Sequence, residues 1–362
     1  MSTYYVGLDV HSRMTSFVIE GGDGAVRARG TLETTRDGFA AWQAVHSLAA
    51  GTPVALETGT LAFFVADEVA RLGLRPLVVD AHEVRLKAQR PRQKSDRRDA
   101  FEICEGLRRD SYRTIVHVPT PALRTLRQLL AQRRHFVRVQ TAQVNAAKRT
   151  LRAVGHGRVA RSLRTPTAWS RMLSALEAVP DVAAAVRAHA AVWTAAQAAR
   201  SALEAALAAH AVPFAAPLAR LQTVPGVGPL VGLTAIATFA DVTRFADAKC
   251  AASYAGLVPS THQSGAVDRH GHITKRGSAE LRAMLCEAAH HAARPDHPFH
   301  RVFTALCARR GYRPAIIAVA HRLCRVLFAL LRDGTTFAPA RLGLGPAPAR
   351  RRRVRGLRIS AP

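Results

Sequence analysis

Residues 3–32 read TYYVGLDVHSRMTSFVIEGGDGAVRARGTL and contain three strand-like segments in direct succession. The GGDG turn separates the second segment from the third. The following residues alternate helical and strand patterns: a helix within 35–49, a buried strand at 53–57, a helix within 59–73 and a strand at 75–80. Three strands followed by helix–strand alternation predict an α/β domain with a mixed, ribonuclease-H-like sheet, although this periodicity also fits other α/β sheets.

Two of the predicted strands end on a carboxylate. Because side chains alternate along a strand, Asp9 shares a face with Gly7, and Glu57 shares a face with Ala55. We expect each small residue to leave open space beside its acid. The carboxyl ends of the strands are also where α/β sheets usually hold their chemistry. Both acids are therefore candidate site residues.

A second acidic pair lies in KSDRRDA, residues 94–100. Asp96 and Asp99 are three residues apart at the start of a predicted helix, so they project together. If this helix packs across the sheet, four carboxylates converge, which is costly unless hard divalent cations neutralise them. This pattern predicts a catalytic site with two Mg²⁺ ions, whose ligands are Asp9, Glu57, Asp96 and Asp99. Alternatively, the acids only favour a helix N-terminus and two strand ends.

The chain is strongly basic, with 52 Lys and Arg residues against 25 Asp and Glu residues among 362, and a net charge of +27. Such a charge favours a polyanionic partner, because phosphate neutralisation releases counterions. We expect no membrane partner, since no apolar run approaches about 18 residues and no signal peptide is evident. Five scattered cysteines fit reduced thiols in a cytoplasmic protein.

Residues 111–176 contain no acidic residue but 13 Arg and Lys residues. A merely solvated helix usually mixes charges. Apolar residues at roughly heptad spacing lie beneath the charges, so we predict a long basic helix on nucleic acid. Its candidate binding residues are Arg124, Arg127, Arg133, Arg134, Arg138, Lys148, Arg149 and Arg152. A second, alanine-rich helix from Val182 to about Ala211 would fold back on the first or pair with another chain.

The region after Pro213 and Pro217 adds two further candidate contacts with phosphate. Gly226 and Gly228 in VPGVG would let backbone amides approach a phosphate, as in helix–hairpin–helix DNA contacts, or would only connect two helices. Residues 260–282 read STHQSGAVDRHGHITKRGSAELR and predict a long functional loop that is mobile without DNA. Its candidate phosphate-binding residues are Lys275, Arg276 and Arg282.

Five motifs occur in a characteristic order: GLDVHSR, ALETGT, KSDRRDA, VPGVG, and AGLVPSTHQSG followed by GHITKRGSAELR. Over residues 3–340 the chain resembles transposases of insertion-sequence family one-ten, relatives of the Piv and MooV invertases. The resemblance implies a RuvC-like domain carrying the four acids, a helical linker that can be a coiled coil, and a C-terminal transposase domain with a nucleophilic serine at Ser264. It also implies tetramers that join donor and target DNA under a structured bridge RNA, and we expect this chain to form a homodimer or tetramer.

The expected domains are a catalytic domain at 1–112, a basic helical linker at 113–212, a transposase domain at 213–340 and a basic disordered tail at 341–362. In the predicted reaction, Ser264 attacks a DNA phosphodiester with the assistance of Mg²⁺ and forms a phosphoserine link. Two alternatives remain open. One is a metal-dependent nuclease or junction resolvase, in which water attacks and Ser264 is a loop residue. The other is a non-catalytic nucleic-acid-binding protein with structural carboxylates.

Overall fold

A computed structural model describes residues 4–87, 96–156, 163–264 and 267–344. The chain divides into two compact units, the first ending at Val118 and the second beginning at Pro119. The first unit confirms the predicted α/β class. The second is mainly helical, and the predicted separation of a linker at 113–212 from a domain at 213–340 stays a prediction.

The first unit is built on a five-stranded mixed sheet in the order β3-β2-β1-β4-β5. The neighbours β1–β2 and β2–β3 are antiparallel, whereas β1–β4 and β4–β5 are parallel. The central strand β1 therefore joins the antiparallel and parallel halves. The strands are β1 (Tyr4–Val10), β2 (Met14–Gly21), β3 (Val26–Glu33), β4 (Pro53–Glu57) and β5 (Arg75–Val79).

Helices cover both faces of this sheet. On one face, α1 (Arg36–His46) and α2 (Ala62–Arg71) pack on Val6, Leu8 and other residues of alternating strand positions. Helix α1 begins where the Thr35 side chain accepts a hydrogen bond from the Gly38 amide, and it buries Phe39 and Trp42. After β5, α3 spans Ala81–Lys87. The opposite face is covered by α4 (Asp96–Arg108), which contacts β1, β2 and β4.

The second unit begins with a helical hairpin. Helix α5 (Pro121–Ala153) starts at a Thr120 cap, and α7 (Pro180–His210) packs along it. Leu126 at the start of α5 shares a core with Leu207 at the end of α7, and Leu151 shares another with Ala183. The two helices are therefore antiparallel, and the alanine-rich helix folds back on the first. Helix α6 (Pro166–Ser174) lies between them in the chain.

The remaining elements surround a second core. They are α8 (Ala215–Gln222), α9 (Pro229–Phe239), α10 (Ala248–Tyr254), β6 (Pro259–Ser264), β7 (Val267–Ile273), α11 (Ala279–Ala292), α12 (His300–Arg310) and α13 (Tyr312–Asp333). Among the described residues, α13 is the single helix that is by itself long and apolar enough to cross a membrane, with a mean hydropathy of 1.7 over 18 residues. More than half of that window, 56%, is buried in the unit, as in a core helix.

Candidate active site and nucleic-acid interface

The sheet register places two of the predicted acids side by side. In the parallel pair β1–β4, Gly7 is opposite Ala55 and Leu8 is opposite Leu56. The next residues, Asp9 and Glu57, therefore lie level on neighbouring strands about 4.8 Å apart. The Asp9 carboxylate is 18% exposed, and its Oδ2 is 3.1 Å from Nε2 of His11. This histidine restrains the carboxylate at the strand end.

Helix α4 lies directly against the strand that carries Asp9. A Cβ built on Gly7 would stand 2.3 Å from the Ala100 carbonyl oxygen and 2.4 Å from the Cys104 amide nitrogen. Ala55 lies in one apolar cluster with Ile103 of α4. The prediction of open space beside the two acids is therefore wrong. Gly7 is needed because the backbone of α4 occupies the space beside it.

The contacts of α4 also determine its direction. Cys104 Sγ is 3.2 Å from the Tyr5 carbonyl oxygen, to which it donates, whereas Ala100 contacts Gly7 further along β1. The helix therefore runs antiparallel to β1. From Ala100 back to Asp96 is about 6 Å along a helix, and from Gly7 on to Asp9 is about 6.6 Å along a strand. The first turn of α4, which contains Asp96 and Asp99, is thus level with the strand-end acids.

A metal site is not formed by the side chains that the structure describes. Within them, no three His, Cys, Asp or Glu residues are close enough together to hold an ion. The side chain of Asp96 lies outside this description. The side chains of Asp9, Glu57 and Asp99 are all described and do not come close enough together to hold an ion, so the four-carboxylate ligand set stays a prediction.

Ser264 lies at the end of a β-hairpin, where a long loop was predicted. Strands β6 and β7 pair antiparallel, with Ser264 opposite Val267 and only two residues between them. A polar segment can satisfy its backbone hydrogen bonds in a strand ladder as readily as in water, so its polarity does not exclude a hairpin. The side chains of residues 261–270 lie outside the described residues, and so does the predicted mobility around Ser264.

The KRG segment after the hairpin is held in an unusual backbone conformation. Lys275 has φ +54°, and Gly277 has φ +103° against the Tyr254 carbonyl. The guanidinium of Arg282 donates to the carbonyls of Ala255 and Lys275 over 3.2 and 3.3 Å. Arg282 thus positions the loop, whereas Lys275 and Arg276 are exposed on it. Strained backbone of this kind often occurs at functional sites.

The basic residues of α5 do not all face outward. Arg127 donates to the carbonyls of Ala237 and Thr238 at the end of α9, over 2.6 and 3.3 Å, and burial lowers its pKa. Arg133 pairs with Glu204 of α7 at 2.8 Å. These two arginines stabilise the packing of α5 on its neighbours.

Other α5 cations are available at the surface. Arg138, Arg149 and Arg152 are exposed, and the side chains of Arg124, Arg134 and Lys148 are partly exposed. Arg134 and Arg138 lie near the half-buried Glu280. Burial raises the pKa of that carboxyl group, although these arginines oppose the rise. The exposed and partly exposed cations of α5 remain predicted nucleic-acid-binding residues.

The VPGVG motif forms the predicted turn between α8 and α9. Gly226 has φ +80°, and a Cβ there would stand 2.9 Å from Cβ of His291. Gly228 caps α9 and has nothing within 4 Å of its built Cβ, so its backbone can be approached closely. The buried His297 donates from Nε2 to the Pro225 carbonyl over 2.8 Å and accepts from the Phe299 amide at Nδ1. A neutral imidazole therefore anchors the turn.

Two features of these sites escaped the sequence reasoning. His11 lies two residues beyond Asp9, and strand alternation extended past β1 would have placed both on one face. Gln140 occupies a heptad position in the apolar stripe of α5 and accepts from Arg200 over 3.0 Å. A polar residue at a heptad position is a readable signal of an interhelical polar contact.

Family comparisons agree with these observations. A family model described as a DEDD transposase of IS110 type matches residues 6–155, and one described as the IS116/IS110/IS902 transposase family matches residues 218–304. Transposases act on DNA, so both matches imply DNA substrates. The chain belongs to the IS110/IS116/IS902 family of transposases.

Individual relatives support the same assignment. A probable family 20 transposase of Pseudomonas aeruginosa is 29% identical over 299 residues, covering 79% of this chain and 86% of the relative. The transposase for insertion sequence element IS1111A of Coxiella burnetii is 32% identical, over 33% of this chain and 34% of its own length. A pilin gene-inverting protein of Moraxella lacunata is 31% identical, over 32% of this chain and 37% of its own length.

Proposed function

We propose that this transposase cuts and rejoins DNA through Ser264, assisted by Mg²⁺ at the four carboxylates and directed by a structured guide RNA. The observation that carries the proposal is the antiparallel docking of α4 on β1. This docking supports the proposal because it directs the first turn of α4 toward the strand ends that carry Asp9 and Glu57. If α4 began in solvent, away from the sheet, its backbone would not lie against Gly7 of β1.

The strand order supports a ribonuclease-H-like, RuvC-like fold for the first unit. Three antiparallel strands are followed by two parallel ones, with the acid-bearing β1 central and a helix across one face. In this arrangement the acids come from two strands and one helix. Residues 1–112 would then act as the catalytic domain, and residues 213–340 would supply the serine.

The donor set fits Mg²⁺, which prefers carboxylate oxygens. Asp9, Glu57, Asp96 and Asp99 would hold it, and bound there it would stabilise negative charge on a phosphodiester and on the attacking oxygen. His11 restrains Asp9 through the 3.1 Å contact and limits its rotation. This restraint preorganises one ligand before DNA arrives.

In the proposed reaction, the Oγ–P bond to Ser264 forms as the P–O bond to the leaving strand breaks. The serine proton passes to solvent, and the leaving oxygen takes a proton to become a free hydroxyl end. After exchange, a hydroxyl end attacks the phosphoserine and restores both the serine and the DNA backbone. Lys275 and Arg276 are exposed near the base of the same hairpin, and they would bind the phosphates.

The guide RNA and the DNA would lie on the exposed cations of the α5–α7 hairpin. Residues 111–176 contain no acid to repel a phosphate backbone. Donor and target DNA together present several strands for cutting, so we propose that a dimer or tetramer supplies several active sites. The Gly228 backbone and α9 would add a phosphate contact.

Trapping of a covalent protein–DNA adduct tests the proposal. Ser264→Ala should lose the denaturant-resistant adduct and strand exchange but keep DNA binding, because one hydroxyl adds little to many cationic contacts. Ser260→Ala is the matched control on the same strand, where the hydroxyl donates to the His272 carbonyl. Cleavage by Ser264→Ala at the wild-type rate would favour the nuclease, with water as the nucleophile. Full function after removal of Asp9 and Asp99 would favour a binding protein.

A further inference from the structure

A cavity of about 320 Å³ opens in the second unit, where α5, α7 and the residues before α6 meet. This volume is at the small end of ligand pockets, about 300–1,000 Å³. It suits a single nucleotide or a molecule of similar size. A duplex does not fit, so the cavity is distinct from a surface that follows a nucleic-acid backbone.

The charge of the cavity favours an anion. Lys148, Arg164 and Arg200 line it, and the residues that the structure describes in its wall include no carboxylate. Arg200 forms an ion pair with Glu204 and donates from one terminal nitrogen to Gln140, but its Nε is buried 3.6 Å from the Glu204 carboxylate and has no hydrogen-bond partner. A buried donor without an acceptor is costly, so its presence points to an acceptor that a ligand would supply.

The remaining wall suits a planar base. Trp193 is 3% exposed and is held by the ring of Trp169, whose centroid is 6.0 Å away. Val144 adds an apolar surface, and the exposed amide of Asn145 has both a donor and an acceptor for a base edge. Cations, an apolar wall and an amide are the groups that bind unpaired nucleotides in proteins.

We propose that this cavity binds one unpaired nucleotide, with its base against Val144 and the edge of Trp193 and its phosphate at Lys148 and Arg164. The inference rests on the proposed function only in requiring that the chain bind nucleic acid. An unpaired nucleotide costs less to extrude than a paired one, so a bulge or loop in a folded RNA suits the site. A free mononucleotide has the same chemistry and is the alternative source.

The test uses the full chain and three labelled RNA duplexes: fully paired, with a one-nucleotide bulge, and with an abasic bulge. We expect the bulged duplex to bind about 10-fold more tightly than the other two, as one base contact predicts. Lys148→Gln should reduce this preference, because in the proposed site the base enters the cavity only when its own phosphate is bound at Lys148. The matched control, Arg149→Gln, is exposed next to it on α5 and outside the cavity wall, so it should weaken all three complexes alike and keep the ratio. Val144→Phe, which narrows the cavity, should remove the preference.

Equal affinity of the wild-type chain for the three duplexes would overturn the proposal. So would an identical response of the Lys148→Gln and Arg149→Gln chains, because it would make Lys148 an ordinary phosphate contact. A 5′-mononucleotide that binds as tightly as the bulge would identify a free nucleotide as the ligand and overturn the strand-borne source. Loss of adduct formation with an intact bulge preference would reject only the serine mechanism.

Discussion

Gly7→Ala should separate α4 from β1 and thereby disturb the candidate active site. The added Cβ would meet the Ala100 oxygen at 2.3 Å, the Cys104 nitrogen at 2.4 Å and the Cys104 Cβ at 2.7 Å. Ordinary contact begins at 3.4 Å, so the helix must retreat by about 1 Å. Two of these atoms belong to the backbone, and no rotamer change can remove the overlap.

The expected magnitudes follow from this displacement. Overpacking of this kind costs about 1–3 kcal/mol of unfolding free energy, and the reduced entropy of the unfolded alanine chain offsets only about 0.4–1 kcal/mol. A loss of 1 kcal/mol lowers the Tm of a domain of this size by about 4 °C or more. A 1 Å displacement of positioned groups can lower the cleavage rate by about 100-fold. We therefore expect cleavage to fall more than folding does.

The assay combines thermal unfolding with DNA cleavage measured well below the Tm. Gly30→Ala is the matched control on the edge strand β3, where the nearest atom to the built Cβ is a ring carbon of Phe17 at 3.2 Å. That side chain can shift, so the control should keep nearly all stability and activity. A Gly7→Ala chain with wild-type Tm and cleavage rate would refute the docking of α4 as the basis of the site.

Three further predictions address the acids, the basic helix and the VPGVG turn. Asp96→Asn and Asp99→Asn should each abolish DNA cleavage while the chain stays folded, and normal cleavage by both, or cleavage in excess chelator, would return these acids to a structural role. Arg149→Glu with Arg152→Glu should weaken nucleic-acid binding and reduce the slope of log affinity against log salt by about 0.9 per lost contact on B-DNA. Arg133→Glu should instead lower the Tm, because it loses the 2.8 Å hydrogen bond to Glu204. Equal effects of Arg133→Glu and of the Arg149 and Arg152 changes on binding and on Tm would contradict the assignment of Arg133 to packing and of Arg149 and Arg152 to nucleic-acid binding. Burial lowers the pKa of His297 in the folded chain. The neutral side chain therefore contributes its full stability above the unfolded pKa near 6.5, and this stability is lost as the pH falls below that value. His297→Gln should flatten the dependence of Tm on pH between pH 5 and 7, and an unchanged dependence would exclude His297 as its source.

The helical hairpin shows how far sequence patterns reach. Heptad spacing in residues 123–151 correctly predicted a long helix with one apolar face, because that spacing reports which residues share a side. The same pattern left open whether the second helix folds back or pairs with another chain, since both bury an alanine-rich face. The spacing shows which side of α5 is buried. It does not show that Arg133 pairs with Glu204, because Glu204 lies 71 residues further along the chain.

For the four candidate acids, too, local patterns in the sequence were sufficient for some predictions and tertiary contacts were needed for others. Strand alternation and the three-residue spacing of KSDRRDA are local properties, and they were sufficient to identify the strands, the start of α4 and all four candidate acids. The register of β1 on β4 and the direction of α4 depend on contacts between distant segments, such as Cys104 with Tyr5. The sequence shows that Gly7 is small, but only the tertiary structure shows that the backbone of α4 fills the space beside it, because the two segments are about 90 residues apart in the chain.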